Sequence, residues 1–207
     1  MRPLVKVCGL RRPADAELAL ELGARYLGCV LASDSPRCAT LAEAVQIRRL
    51  AASAKNEAEL VLVFRDSTPR QIVAAAQLSG ARRVQLHGAR EGTADAVREA
   101  GLLVHPVQAV DRGADALPQP ATPPTREEPA LLDVGAGGTG RRFPWRLLGG
   151  ASPPATFIAG GIDPDNVNEL LFHRPFGIDV SSGVEQLPGR KDPARLRGLF
   201  AAAGYPA

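Results

Sequence analysis

No apolar run in this chain approaches the ~18 residues that a membrane-crossing helix needs, so no membrane partner is expected. Nor does the N-terminus show the charged, apolar and small-residue succession of a secretory leader, which leaves the cytoplasm as the expected location. Aromatic residues are scarce at 4%, and the arginines are scattered rather than gathered. With a formal charge of only +3, this argues against the basic face interleaved with stacking rings that holds nucleic acid. A small anion remains compatible with that charge. Cysteine is limited to Cys8, Cys29 and Cys38. An odd count, with no CxxC pair and no histidine at ligand spacing, argues against a disulfide framework and a zinc cluster alike. No metal is therefore expected, and the absence of GxxxxGK[ST] removes a nucleotide-hydrolysing loop.

What the chain does have is rhythm. Apolar, β-branched-rich runs fall at 4–8, 26–32, 59–64, 82–88, 102–108, 129–134, 156–160 and 177–182. Most are followed by Ala- and Leu-rich stretches with apolar residues three and four apart: 13–23, 41–54, 68–80, 92–101, 163–172 and 192–203. Several of these open on Thr or Asp, and Pro13 and Gly23 bracket the first as start and stop. Near-continuous apolar strands alternating with helices predict a parallel sheet covered by helices. Eight of them in 207 residues just close a compact (β/α)8 barrel, a single domain over 1–207, with an open doubly wound sheet as the rival. The stretch "ALPQPATPPTREEPA" (116–130) is Pro-rich where a fifth helix belongs. Because the alternation resumes after it, it reads as a degraded fifth helix on the barrel's outside rather than a linker.

In such a fold, chemistry collects at the C-terminal ends of the strands. Those positions offer Cys8, the "SDSPR" loop with Arg37, Asp66, His87, Gln108, Asp133 with "GAGGTGR", "AGG" and "SSG". The last two loops, with Gly160 and Gly161 in one and Ser181, Ser182 and Gly183 in the other, are small and run into helix-like sequence. Adjacent loops of this kind present backbone N–H groups to an anion, and in barrels they often take phosphate. Asp133 ends an apolar strand, a setting that raises a carboxyl's pKa and keeps an acid protonated near neutrality. Cys8 by itself reads equally as a small buried filler; opposite Asp133 it reads as the base of an acid–base pair. His87 reads as packing.

Taken together, "VKVCGL", "SPR", "VQLHG", "LLD" with "GGTG" and "FPW", "AGGIDPDNV" and "GIDVSSGVE…PGRKD" resemble the phosphoribosylanthranilate isomerase family. The matches keep the family's order from about residue 4 to residue 200. The resemblance implies a (β/α)8 barrel of the tryptophan pathway that uses no cofactor or metal. It converts N-(5-phosphoribosyl)anthranilate into 1-(2-carboxyphenylamino)-1-deoxyribulose 5-phosphate by an Amadori rearrangement. It further implies Cys8 as general base, Asp133 as general acid and Arg37 as holder of the anthranilate carboxylate. Gly160, Gly161, Ser181, Ser182 and Gly183 would hold the phosphate, and "GAGGTGR" would form a lid. The expected partner is thus one phosphorylated small molecule, taken by a monomer or homodimer. A cysteine base is active as thiolate, so a lowered Cys8 pKa is expected, with Lys6 or the loop dipoles as its source. Cys29 and Cys38 stand where relatives usually carry bulkier residues, which is expected to put thiols near the mouth. The alternatives are a related phosphosugar enzyme with a shifted substrate, or an idle phosphate-binding barrel.

Overall fold

Each apolar run becomes a strand. The computed structural model describes residues 2–134 and 141–206. Its first half is strictly alternating: β1 (Leu4–Val7), α1 (Pro13–Glu21), β2 (Tyr26–Val30), α2 (Leu41–Ser53), β3 (Glu59–Arg65), α3 (Pro69–Ser79), β4 (Arg83–His87) and α4 (Thr93–Glu99). Then come β5 (Leu103–Val110), β6 (Ala130–Val134), β7 (Thr156–Ile158), α5 (Val167–Leu171) and β8 (Gly177–Val180). A short antiparallel pair, β9 (Glu185–Leu187) with β10 (Arg190–Lys191), precedes α6 (Pro193–Ala202). Strands β1 to β8 pair in sequence order, all parallel, and β8 closes on β1. That closure rules out the open sheet.

Local chemistry sets the helix starts. Thr40 and Glu43 form a reciprocal capping box on α2, and Thr68 and Gln71 do the same on α3; each such cap is worth about 1 kcal/mol. The Asp192 carboxylate accepts from the Ala194 and Arg195 amides to start α6. The degraded fifth helix expected here is not formed at all: residues 111–129 contain no helix. Five prolines between 116 and 130 remove the amides a helix would need. Glu128 ties this segment down, accepting from the Arg98 guanidinium and the Val104 amide. Between β6 and β7 the described residues hold only a 3-10 turn, Trp145–Leu148.

Alternation along the strands sorts side chains into two shells. One phase, including Val5, Val7, Leu27, Cys29, Leu62, Val84, Ile158, Ile178 and Val180, packs against the helices in the main core. The other phase points down the barrel axis. There Tyr26, Val61, Leu131, Phe157 and Ala159 form a small inner cluster. Beside it, Lys6, Arg83, Gln85, His105, Asp133 and Asp179 are buried polar strand residues. The register pairs Lys6 with Asp179, Gln85 with His105, and Ala109 with Asp133, so every one of those polar residues shares the inward phase. Among the described residues, no helix is long and apolar enough to cross a membrane.

Candidate active site

One pocket opens at the C-terminal end of the barrel. It is lined by Cys8, Arg37, Asp133, Gly160, Gly161, Ser181, Ser182 and Gly183, together with Arg65, Gln85, His87 and Asp179. All eight site residues expected from the sequence therefore meet in one place. The glycine stretch expected as a lid, 135–140, lies outside the described residues.

Cys8 follows β1 directly, and its amide donates to the Val180 carbonyl of β8. Its thiol fits because residue 28 of β2 is glycine. A Cβ there would stand 2.8 Å from the Cys8 sulfur. Burial pushes the thiol's pKa up; the Lys6 ammonium, hydrogen-bonded to it, and Lys191 pull it back, while Asp179 adds to the rise. The net direction is upward, against the lowered value expected of a cysteine base. Desolvation outweighs the two lysines.

Lys6 is the charged group that acts most strongly on that thiol. Its Nζ lies 2.6 Å from Asp179 Oδ2, joining β1 to β8 across the barrel's closing seam. Burial works against this ammonium, but Asp179 and Cys8 outweigh it and hold its pKa above the ordinary lysine value. The other Asp179 oxygen, Oδ1, and Gln85 Oε1 are buried without a partner among the described residues. Both residues line the pocket, so a ligand's hydroxyl or amine is the natural donor to them.

Asp133, at the end of β6, is 7% exposed. Burial raises its pKa to about 6, although the Val134 amide, 2.7 Å from Oδ1, partly offsets that rise. This is the environment expected of an acid kept protonated close to neutrality. His87 also faces the pocket, not the packing core alone. Its Nε2 is 2.7 Å from Gln85 Nε2, and burial lowers its pKa to about 4, so it is neutral.

Arg37 leads to a second charged cluster. Its Nε and Nη2 fork onto the Glu185 carboxylate, Nε 3.1 Å from Oε1 and Nη2 2.8 Å from Oε2, in the bidentate geometry that guanidinium favours. Burial would push Glu185 up, but the hydrogen bonds from Arg37 and Lys191 outweigh it and hold the carboxyl below its ordinary value.

The two glycine-bearing loops are shaped locally. After β7, the Asp163 carboxylate accepts from the amides of Asp165 and Asn166, and the Asn166 amide group donates back to the Gly161 carbonyl. After β8, Gly183 sits so close to this loop that a Cβ would overlap the Ile162 carbonyl. Only glycine lets the two loops touch.

Two residues expected near the mouth sit elsewhere. Gln108 lies within β5 and pairs with Leu132, on the phase that faces away from the axis. Cys29 is fully buried in the helix-facing core. Conversely, Asp179, Glu185, Lys191 and Gln85 are site residues that the sequence does not announce. An acid within the apolar run "GIDV" and a lysine within "LVKV", both in phase with Cys8, are the signals it does carry.

A closed parallel barrel with a high-pKa carboxyl, a thiol and two glycine-bearing loops at its mouth belongs to the class of barrel enzymes that do acid–base chemistry on small anionic substrates. Likeness to known proteins narrows the class. The family model described as N-(5'phosphoribosyl)anthranilate (PRA) isomerase matches residues 5–202, and the chain belongs to that family. The N-(5'-phosphoribosyl)anthranilate isomerase of Chlamydia felis is 35% identical over 205 residues, 96% of each chain. The crystal structure of the Thermus thermophilus phosphoribosyl anthranilate isomerase superposes with a TM-score of 0.80 at 33% identity, covering 97% of this chain and 98% of that one. A further isomerase structure, in complex with reduced 1-(o-carboxyphenylamino)-1-deoxyribulose 5-phosphate, gives 0.75 at 27% identity, with 98% of both chains covered.

Proposed function

We propose that this chain, acting as one barrel domain, isomerises N-(5'-phosphoribosyl)anthranilate to 1-(2-carboxyphenylamino)-1-deoxyribulose 5-phosphate in tryptophan biosynthesis, in the cytoplasm. The observation that carries the reading is the meeting of Cys8 and Asp133 in one pocket with the two glycine-bearing loops. The aldose-to-ketose change needs two proton movements. Protonated Asp133 gives a proton to the ring oxygen, the C1–O bond breaks, and the anilino nitrogen's lone pair forms the C=N bond of the open-chain iminium. The fraction of Cys8 held as thiolate by the Lys6 and Lys191 ammoniums then takes the proton from C2, and those electrons neutralise the iminium as the enolamine, which tautomerises to the aminoketone.

The remaining residues orient the substrate. Ser181, Ser182, Gly183, Gly160 and Gly161 receive the phosphate. Arg37, with its Nε and Nη2 committed to Glu185, offers Nη1 to the anthranilate carboxylate. Asp179 Oδ1 and Gln85 Oε1 accept from the sugar and amine. The test is turnover of freshly generated phosphoribosylanthranilate, followed by loss of its fluorescence. Rapid loss with the wild type and none with Cys8→Ala is the expected result. A wild type without turnover would overturn the substrate assignment and direct attention to related phosphosugars.

A further inference from the structure

The "GRKD" motif near the C-terminus has no part in the mechanism above, yet its lysine is among the most buried side chains of the molecule. Lys191, at the end of β10, is 1% exposed. An ammonium has three donors, and here each has an acceptor on a different part of the site. Nζ is 2.6 Å from the Cys8 carbonyl, 3.3 Å from the Ser181 carbonyl and 2.8 Å from Glu185 Oε1. The Lys191 amide is held in turn by Asp15 of α1, at 3.0 Å from Oδ2.

Those three acceptors are the backbone of the proposed base, the first residue of the proposed phosphate loop, and the carboxylate that grips Arg37. We propose that Lys191 is a positioning residue, whose single buried ammonium sets the base, the phosphate loop and the Arg37 anchor at fixed mutual distances. Desolvating an ammonium is costly unless its geometry is well satisfied. A hydrophobic side chain would fill the same space at lower cost, so packing alone does not account for a lysine here. Its charge also bears on the thiol. The charged groups that act on Cys8 are Lys6 from β1, Asp179 from β8 and Lys191 from β10. Lys6 is already matched by Asp179. Lys191 is matched by Glu185, which it shares with Arg37.

This inference deepens the proposed reaction and rests on it for the roles of the three parts, so its test includes a measurement that needs no substrate. In a Cys38→Ser background, iodoacetamide reports on Cys8, because Cys29 is fully buried. Lys191→Met is expected to slow alkylation at fixed pH by about tenfold, the thiolate lost when a thiol's pKa rises by one. A lysine that merely filled space would, on removal, loosen the pocket and speed alkylation. In the same variant kcat falls by about a hundredfold, the order expected when reacting groups shift by an ångström, with a smaller rise in KM. A folded Lys191→Met variant whose alkylation is unchanged or faster, or whose kcat is unchanged, overturns the proposal. If that variant does not fold, Glu185→Gln decides. It leaves the ammonium without its neutralising carboxylate, so alkylation should be faster, and an unchanged or slower rate overturns the proposal. Absence of wild-type turnover would count against the reaction alone, since alkylation is independent of it.

Discussion

Asp133 shows how a buried carboxyl stores instability. Its folded pKa of about 6 lies above the ordinary 3.8 because burial disfavours the anion. The folded state therefore binds this proton more tightly than the unfolded chain does. Stability associated with Asp133 is fully present below the unfolded value near 3.8 and is lost as pH rises through about 6. Asp133→Asn keeps the acceptor for the Val134 amide and removes the charge. It is expected to unfold at higher temperature than the wild type at neutral pH, by the equivalent of about 1–3 kcal/mol, with the difference closing in mild acid. It is also expected to lose turnover. Thermal melts across pH check the first point, and a variant no more stable than the wild type at neutral pH would show that the carboxylate is not strained. Because the substrate's phosphate also titrates near 6, the acid's own pKa is best read by carbon NMR of the Asp133 carboxyl, not from kinetics.

At the scale of elements, the decisive contact joins β1 and β8. The Lys6–Asp179 pair lies at the register position where first and last strands meet. Removing one member leaves a buried charge alone, so Lys6→Met should cost about 3–5 kcal/mol in urea unfolding. Lys6→Met combined with Asp179→Leu should recover most of that loss. Equal stabilities of single and double variants would mean that the seam does not depend on the pair. The strands and the long helices are legible in the sequence because periodicity reports directly on which side is covered: "LVKVC" and "ELVLVF" are nearly continuous, as strands covered on both faces must be. Asp133 and Cys8 are legible because they end such runs. Glu185 and Lys191 are not, since β9 and β10 are only three and two residues long and carry no period. Their place beside the pocket comes from a turn that brings Lys191 onto the Cys8 carbonyl and Glu185 onto Arg37, a tertiary fact. The net upward direction at Cys8 is likewise hidden, because the depth of burial cannot be read from a strand end.

For the molecule as a whole, the helical layer is uneven. Four helices cover the first half of the barrel, but nothing helical lies between β5 and β6, and only a 3-10 turn is found among the described residues between β6 and β7. The segment after β5 is exposed at Asp111, Arg112 and Gly113, well before the tether at Glu128. Limited trypsin digestion is expected to cut first at Arg112, leaving two fragments that stay associated through the paired β5 and β6. Initial cleavage within α1 to α3 instead would indicate that the covered half is the weaker one.

The barrel's alternation has a consequence for how such a sequence can drift. Positions facing the helices only have to remain apolar and of similar size, which neighbouring substitutions can readily compensate. Positions facing the axis carry Lys6, Gln85, Asp133 and Asp179; Lys6 and Asp179 hold each other across the closing seam, and Gln85, Asp133 and Asp179 line the pocket. A saturation mutagenesis map of β1, β4, β6 and β8 should therefore look striped, tolerant and intolerant sites taking turns along each strand. The intolerant stripe would run unbroken from the barrel's middle to its mouth, with no boundary between what holds the molecule shut and what makes it work.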